Sequence, residues 1–268
     1  MPESKPIRIL DSGYVKYIDH MGTDEHFIRA ARQSTNKDFQ GWDQDAGLLE
    51  YLYANQHHTP FEMSNLIIEV KAPIFVFREW MRHRTQSFNE LSARYTVMPN
   101  DHYVPSLERM VRQDQKNKQG SSKDKLDRAH AARIQKQMEQ DQAHLYATYT
   151  SAMDGGLVRE VARINTPVSR YSKMWANSNL RNWLHFLNLR MAPNAQEEIR
   201  VYANAVAQIV QSIWPRTFAL FEEHTLYGVR LSRTEAALAA KALEEFRKLN
   251  PEAEKLFSKL IANNPTCK

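Results

Sequence analysis

The sequence predicts an α+β fold, and three observations carry that reading. Apolar residues recur at helical spacing, most clearly Ile199, Tyr202, Val206, Ile209 and Ile213 at intervals of three and four, which makes a core-facing or partner-facing stripe. Strand-like segments are few, the strongest being "SNLIIEVKAP" at 64–73. They do not alternate with helices as βαβ units require, and the chain shows no internal repeat.

From the N-terminus, "IRILDSGYVKYIDH" has the β-branched and aromatic content of an early strand. Thr23 can cap a helix running to about Ser34, and "WDQDAGLLEYLYANQ" reads as another helix. Pro73 closes the 64–73 strand and suits the first turn of a helix, so "PIFVFREWMRHR" is expected to be helical to Arg84. Its apolar residues wrap most of the surface, which implies deep burial, and Arg82, His83 and Arg84 fall at its C-terminal end. Helices follow at about 125–153 and 156–163, then an extended or strand segment "SRYSKMWANS" and a helix "NLRNWLHFLNLR". The long apolar stripe breaks at Pro215. Ser232 with Glu235 makes a capping box for a further helix, and Asn250-Pro251 starts a last one. The expected organisation is a main domain over 1–230, with a basic insertion at about 108–136, and a helical C-terminal extension over 231–268.

Composition narrows the function. An apolar content of 42% and a charged content of 25% in 268 residues are those of a soluble globular chain. No apolar run approaches the length of a membrane span. "MPESKPIRIL" has no apolar signal core, so a cytoplasmic location is expected. The one cysteine, Cys267, is next to last, which argues against a disulfide framework, a thiolate metal site or a cysteine nucleophile; no metal is expected. The net charge of +5 invites a nucleic-acid reading. Yet Glu108 to Lys136 holds nine Lys/Arg against four Asp/Glu, so the whole excess sits in one Gln/Lys-rich segment, "RQDQKNKQGSSKDK". That segment reads as a solvated insertion, a loop leading into a helix.

The stretch "RHRTQSFNELSARY", Arg82 to Tyr95, is less easily explained by solvation. Its cations are all Arg and His. Arginine presents a planar fork of donors suited to phosphates and carboxylates, where lysine presents a point charge. Basic residues at a helix C-terminus are stabilising by ~0.3–1 kcal/mol each, but that leaves Ser87, Asn89, Glu90, Ser92 and Arg94 unaccounted for. By themselves these residues describe an anion site whose ligand they do not name.

The spacing Arg82-His83-Arg84, seven residues, Ser92 resembles the signature of the flavin-dependent thymidylate synthases. Similar elements recur in order: "HHTPFE" from His57, "KAPIFVFREWMRHR" into the motif, and "NLRNWLHFLNLRMAPNAQEEI" from Asn179. The resemblance spans roughly residues 6–228, less the insertion. It implies a twisted antiparallel sheet flanked by helices, assembled as a homotetramer with shared active sites. It also implies reductive methylation of dUMP to dTMP, with 5,10-methylenetetrahydrofolate giving the carbon, NADPH the reducing equivalents, and FAD relaying the hydride.

Carried over residue by residue, the resemblance sets Thr59, Arg82, His83, Arg84, Glu90, Asn179, Arg181 and His185 against the flavin. The nucleotide falls to Glu79, Arg82, Glu90, Ser92, Arg94, Arg163 and Arg190, with Arg190 facing the uracil ring as the catalytic group. His57 is a folate-side candidate. Glu79 stands where the family often has Gln, His185 where Asn is common, and Asn194 where some members have His. Two features of the chain fit independently. Only eight glycines and no G-x-G-x-x-G leave no Rossmann cradle for a dinucleotide, so side chains must hold its phosphates. With Cys267 at the terminus, the difficult chemistry falls to a cofactor. Ser92 has no base in sequence to activate it and is assigned to phosphate binding. The competing readings are a flavoprotein NADPH oxidase of the same fold without methylation, and a basic nucleic-acid-binding protein using 108–136.

Overall fold

A computed structural model describes residues 5–115, 120–246, 252, 254–256 and 258–259. The chain up to Phe221 forms one compact unit and Glu222–Lys268 a second. Among the described residues no helix is long and apolar enough to cross a membrane.

The first unit is built on a five-stranded antiparallel sheet. Its strands are β1 (Ile7–Ile9), β2 (Gly13–Met21), β3 (Asn65–Pro73), β4 (Ser87–Glu90) and, later in the chain, β7 (Tyr171–Ser178), in the order β1-β2-β3-β7-β4. The expected early strand is thus two strands, folded back at Leu10, whose φ of 54° lets the chain reverse. The alternation of β3 decides which face is covered. Leu66, Ile68 and Val70 are buried while Ile67, Glu69 and Lys71 are partly exposed, and β7 repeats this with Met174 and Ala176 against Lys173 and Trp175.

Helices cover the buried face. The sequence-expected helices appear as α1 (Asp24–Arg32), capped by Thr23, α2 (Trp42–Ala54) and α4 (Ile74–Trp80), and a short helix that the sequence did not announce, α3 (Thr59–Glu62), lies between α2 and β3. Beyond the insertion come α5 (Arg128–Asp154), α6 (Arg159–Ala162) with a 3₁₀ turn at Arg163–Asn165, α7 (Leu180–Arg190), α8 (Glu197–Ile213) and α9 (Pro215–Phe221). Pro215 begins α9, as its missing N–H allows. Trp80 of α4 stacks on Phe186 of α7 with ring centroids 4.5 Å apart, and Trp183 Nε1 donates to Leu66 O on β3 at 3.1 Å. Tyr202 of α8 donates to Lys71 O at 2.8 Å and lies so close over β2 that a Cβ at Gly13 would meet its hydroxyl at 1.9 Å. Only glycine fits there.

Two expectations need correction. The helix from Pro73 ends at Trp80, short of Arg84. Pairing of β4 with β7 starts at Ser87, so the chain must reverse between Met81 and Gln86. Turn bonds from His83 N to Trp80 O and from Gln86 N to His83 O replace the helical ladder, and Trp80 Nε1 donates to Gln86 Oε1 at 3.0 Å. The insertion is not simply a loop into a helix: β5 (Val111–Gln113) and β6 (Ser121–Lys125) form a hairpin. Below it Arg109 reaches the buried Glu198, with Nε–Oε1 at 2.8 Å, and Tyr103 adds a hydrogen bond to the same carboxylate at 3.1 Å. Asp127 then caps α5 through His130 N.

In the second unit, Ser232 and Glu235 form the expected capping box at the start of α10 (Arg233–Phe246). The helix expected from Asn250-Pro251 begins outside the described residues.

Candidate active site

Most of the sequence-predicted residues fall into three groups. The first gathers at the end of α4 and the end of α7. Arg190, the last residue of α7, donates from Nε to His83 Nε2 at 2.9 Å, from Nη1 to Glu79 Oε2 at 3.3 Å and from Nη2 to Glu79 O at 3.0 Å. His83 is only 7% exposed and packs edge-on against Phe186 at 4.9 Å, with His185 at 6.0 Å. Burial, with the Arg190 guanidinium and then His185 adding to it, pushes the imidazole down to about 4. It is therefore neutral near pH 7, leaving Nε2 free to accept from Arg190. Burial raises the Glu79 carboxyl above the ordinary value; Arg190 opposes the rise and Glu198 adds to it.

The second group lies at the other end of α7. Asn179 caps this helix by accepting from Asn182 N, and Arg181 pairs with Glu62 of α3 at 2.5 Å. Thr59 lines a cleft of about 470 Å³ with His57, His58 and Met63. Partial burial and then the Arg181 charge lower the His58 pKa. Arg181 and His185 are one turn apart and both exposed, so one face of α7 runs between the two groups.

The third group is separate. Ser92 accepts from Arg94 N at 3.3 Å, and Arg94 pairs with Glu160 at 3.3 Å. Ala93 and Ala162 pack in a satellite core with Met98 and Tyr149, which holds Arg94 and Arg163 on neighbouring segments. Among the described residues no hydrogen bond, ion pair or ring contact joins this group to the other two. Glu90, on β4, lines a further cleft of about 380 Å³ with Asn89, Lys173 and Trp175. The sequence reading missed Glu62, Lys173 and Trp175. Alternation within "SKMWANS" marks Lys173 and Trp175 as sharing the open face of the sheet; nothing in the sequence marks Glu62 as the partner of Arg181.

The donor set suits a dinucleotide. Arg82 and Arg84 are exposed on the turn after α4, Arg163 is exposed after α6, and none of their guanidiniums is engaged by a carboxylate among the described residues. Free guanidiniums offer the bidentate donors that a diphosphate needs where no glycine-rich loop exists. Among the described residues no cluster of His, Cys, Asp and Glu could hold a metal.

A family model described as thymidylate synthase complementing protein matches residues 16–216. A flavin-dependent thymidylate synthase of Rickettsia bellii is 38% identical over 257 residues, covering 91% of this chain and 85% of the relative. One from Thermus thermophilus is 43% identical over 229 residues, covering 85% and 83%. Among solved structures, the UMP/dUMP methylase PolB of Streptomyces cacaoi bound with 5-Br dUMP matches with a TM-score of 0.73. That match is 32% identical and covers 82% of this chain and 99% of the other. Fold and site together define an α+β protein with exposed arginines, Arg82, Arg84 and Arg163, that no carboxylate engages among the described residues. The comparisons are more specific: the chain belongs to the flavin-dependent thymidylate synthase family.

Proposed function

We propose that this chain methylates dUMP to dTMP, with FAD bound and with 5,10-methylenetetrahydrofolate and NADPH as co-substrates, in the cytoplasm. The observation that carries the reading is Arg190 held against Glu79 and against His83, whose sequence neighbours Arg82 and Arg84 meet no carboxylate among the described residues. The names of the relatives and the dUMP methylase neighbour support the same substrate.

FAD, when bound, would supply the redox chemistry that no side chain here can provide. Arg82, Arg84 and Arg181 would hold its phosphates, with Thr59, His83, Glu90, Asn179 and His185 completing the flavin side. A fixed guanidinium at Arg190 stabilises negative charge developing on the uracil carbonyls, and it does so without rearranging during reaction. Ser92, Arg94 and Arg163 would take the nucleotide phosphate, with Glu79, Arg82 and Glu90 on the rest of the nucleotide. Because no hydrogen bond, ion pair or ring contact joins the Ser92 group to the Arg190 group among the described residues, one nucleotide reaches both most simply across a subunit boundary. This supports a homotetramer with shared sites.

The test is purification followed by assay. The protein should be yellow or take up FAD, and should form dTMP only when dUMP, the folate and NADPH are all present. A protein that stays colourless in excess FAD contradicts the reading. One that consumes NADPH with oxygen but makes no dTMP is the oxidase instead.

A further inference from the structure

The bonds around Arg190 include more than its assigned role requires. Helix α4 stops at Trp80, which leaves the Glu79 carbonyl without its helical partner; it accepts from Arg82 N at 3.3 Å and from Arg190 Nη2 at 3.0 Å. Capping that helix end would need only this one bond. Arg190 makes two more, to the Glu79 carboxylate and to His83 Nε2. Together the three fix the position and the plane of the guanidinium. Of its five N–H groups, three are used, and those left over are one on each terminal nitrogen. Each terminal nitrogen thus keeps one N–H for a ligand acceptor.

We propose that Glu79 is a positioning residue. Its carboxylate and carbonyl, together with His83 Nε2, clamp Arg190 so that one N–H on each terminal nitrogen is presented to the acceptors of the pyrimidine ring. The proposal rests on the function given above and goes beyond it, because Glu79, placed there beside the nucleotide, then acts on the reaction through Arg190. A glutamine could accept one of these hydrogen bonds through Oε1 but would carry no charge. The carboxylate therefore ties the clamp to pH. Glu79 faces Arg190 from α7 and Glu198 from α8, which is itself paired with Arg109; on its own segment Arg78, Arg82 and His83 are nearby, and His185 faces His83. Its carboxyl is pushed above the ordinary glutamate value by burial, so the clamp holds at pH above that raised pKa and loosens as pH falls through it.

The test compares Glu79→Ala and Glu79→Gln with the parent in two ways. In turnover, Glu79→Ala should lose about 10–100-fold in kcat while retaining flavin, the loss typical of a misplaced catalytic group. Glu79→Gln should recover most of that loss, and the acid limb of its rate profile should move to lower pH or vanish. The second readout needs neither flavin nor turnover: the titration of His83 followed by NMR of flavin-free protein labelled at histidine carbons. The Arg190 charge held beside Nε2 helps depress His83, so its pKa should rise in Glu79→Ala, where Arg190 is less constrained. Parent-like kcat in Glu79→Ala, equal losses in both variants, an unchanged acid limb in Glu79→Gln, or an unmoved His83 titration would each overturn the proposal. If the parent itself makes no dTMP, the function reading fails, and the His83 titration still decides whether the clamp exists.

Discussion

Replacing Arg190 with alanine removes one guanidinium and three hydrogen bonds at once. Two losses follow, and they can be separated. The structural loss is a Glu79 carbonyl left with only the long bond from Arg82 N, and a partly buried Glu79 carboxylate that has lost its Arg190 partner. Leaving such groups unsatisfied costs about 1–3 kcal/mol, which lowers the Tm of a unit this size by several degrees. The carboxylate's raised pKa lets it protonate and soften that penalty. The chemical loss is a preformed charge-stabilising donor at the ring, worth about 10²–10³ in rate, or roughly 2.7–4 kcal/mol. Flavin should remain bound, because the guanidiniums assigned to its phosphates are untouched. The assay pairs stopped-flow flavin reduction by NADPH with dTMP yield from one preparation. Reduction should survive, since it needs no activated uracil, while dTMP formation falls at every FAD concentration. With the cation gone, the His83 pKa should also climb from about 4. A folded, flavin-loaded Arg190→Ala that makes dTMP at the parent rate, or that loses flavin reduction as well, would refute the division of labour.

Other outcomes follow from the same geometry. Arg84→Ala should weaken FAD retention, so its activity should return in part with excess FAD; a variant that keeps its flavin but stays slow would place Arg84 elsewhere. Glu198→Ala leaves Arg109 with the longer contact to Glu197 at 3.6 Å and a bond to Ser121 Oγ at 3.4 Å and should destabilise the first unit by about 3 kcal/mol, the lower end for a broken buried pair, read by urea unfolding. Burial pushes the Glu198 carboxyl up, but hydrogen bonds from Arg109 and Gln196 outweigh it and the net pKa is lowered. The pair's stabilisation is thus fully present above the unfolded glutamate pKa and disappears as pH falls through the lower folded one. Parent-like acid stability in Glu198→Ala would contradict this. Cys267→Ser should leave turnover intact, and a folded, flavin-loaded variant that lost it would reopen the question of a cysteine nucleophile.

Much of the fold was legible because local signals and tertiary structure agree. The period-two pattern of β3, the cap at Thr23, Pro215 and the Ser232–Glu235 box each specify their element through neighbours in sequence. The helix expected to Arg84 failed because what ends it is non-local: β4 pairs with β7 across the chain, and Arg190 binds Glu79 and His83 from over a hundred residues away. The insertion misled for a related reason. Its composition is that of a solvated segment, and neither the hairpin nor the Arg109–Glu198 pair leaves a periodic trace. Candidate site residues could be proposed from the Arg-His-Arg motif and its companions, whereas their grouping in space could not. No spacing rule separates Ser92, Arg94 and Arg163 from Arg190, or marks Glu62 as the partner of Arg181.

The central claim is carbon transfer to dUMP, and labelled carbon tests it most directly. Enzyme with FAD, NADPH, dUMP and tetrahydrofolate carrying a ¹³C-methylene group should yield dTMP labelled in its 5-methyl group, with NADPH oxidised in step with the product. Unlabelled dTMP, or NADPH oxidation with no dTMP at all, would contradict it.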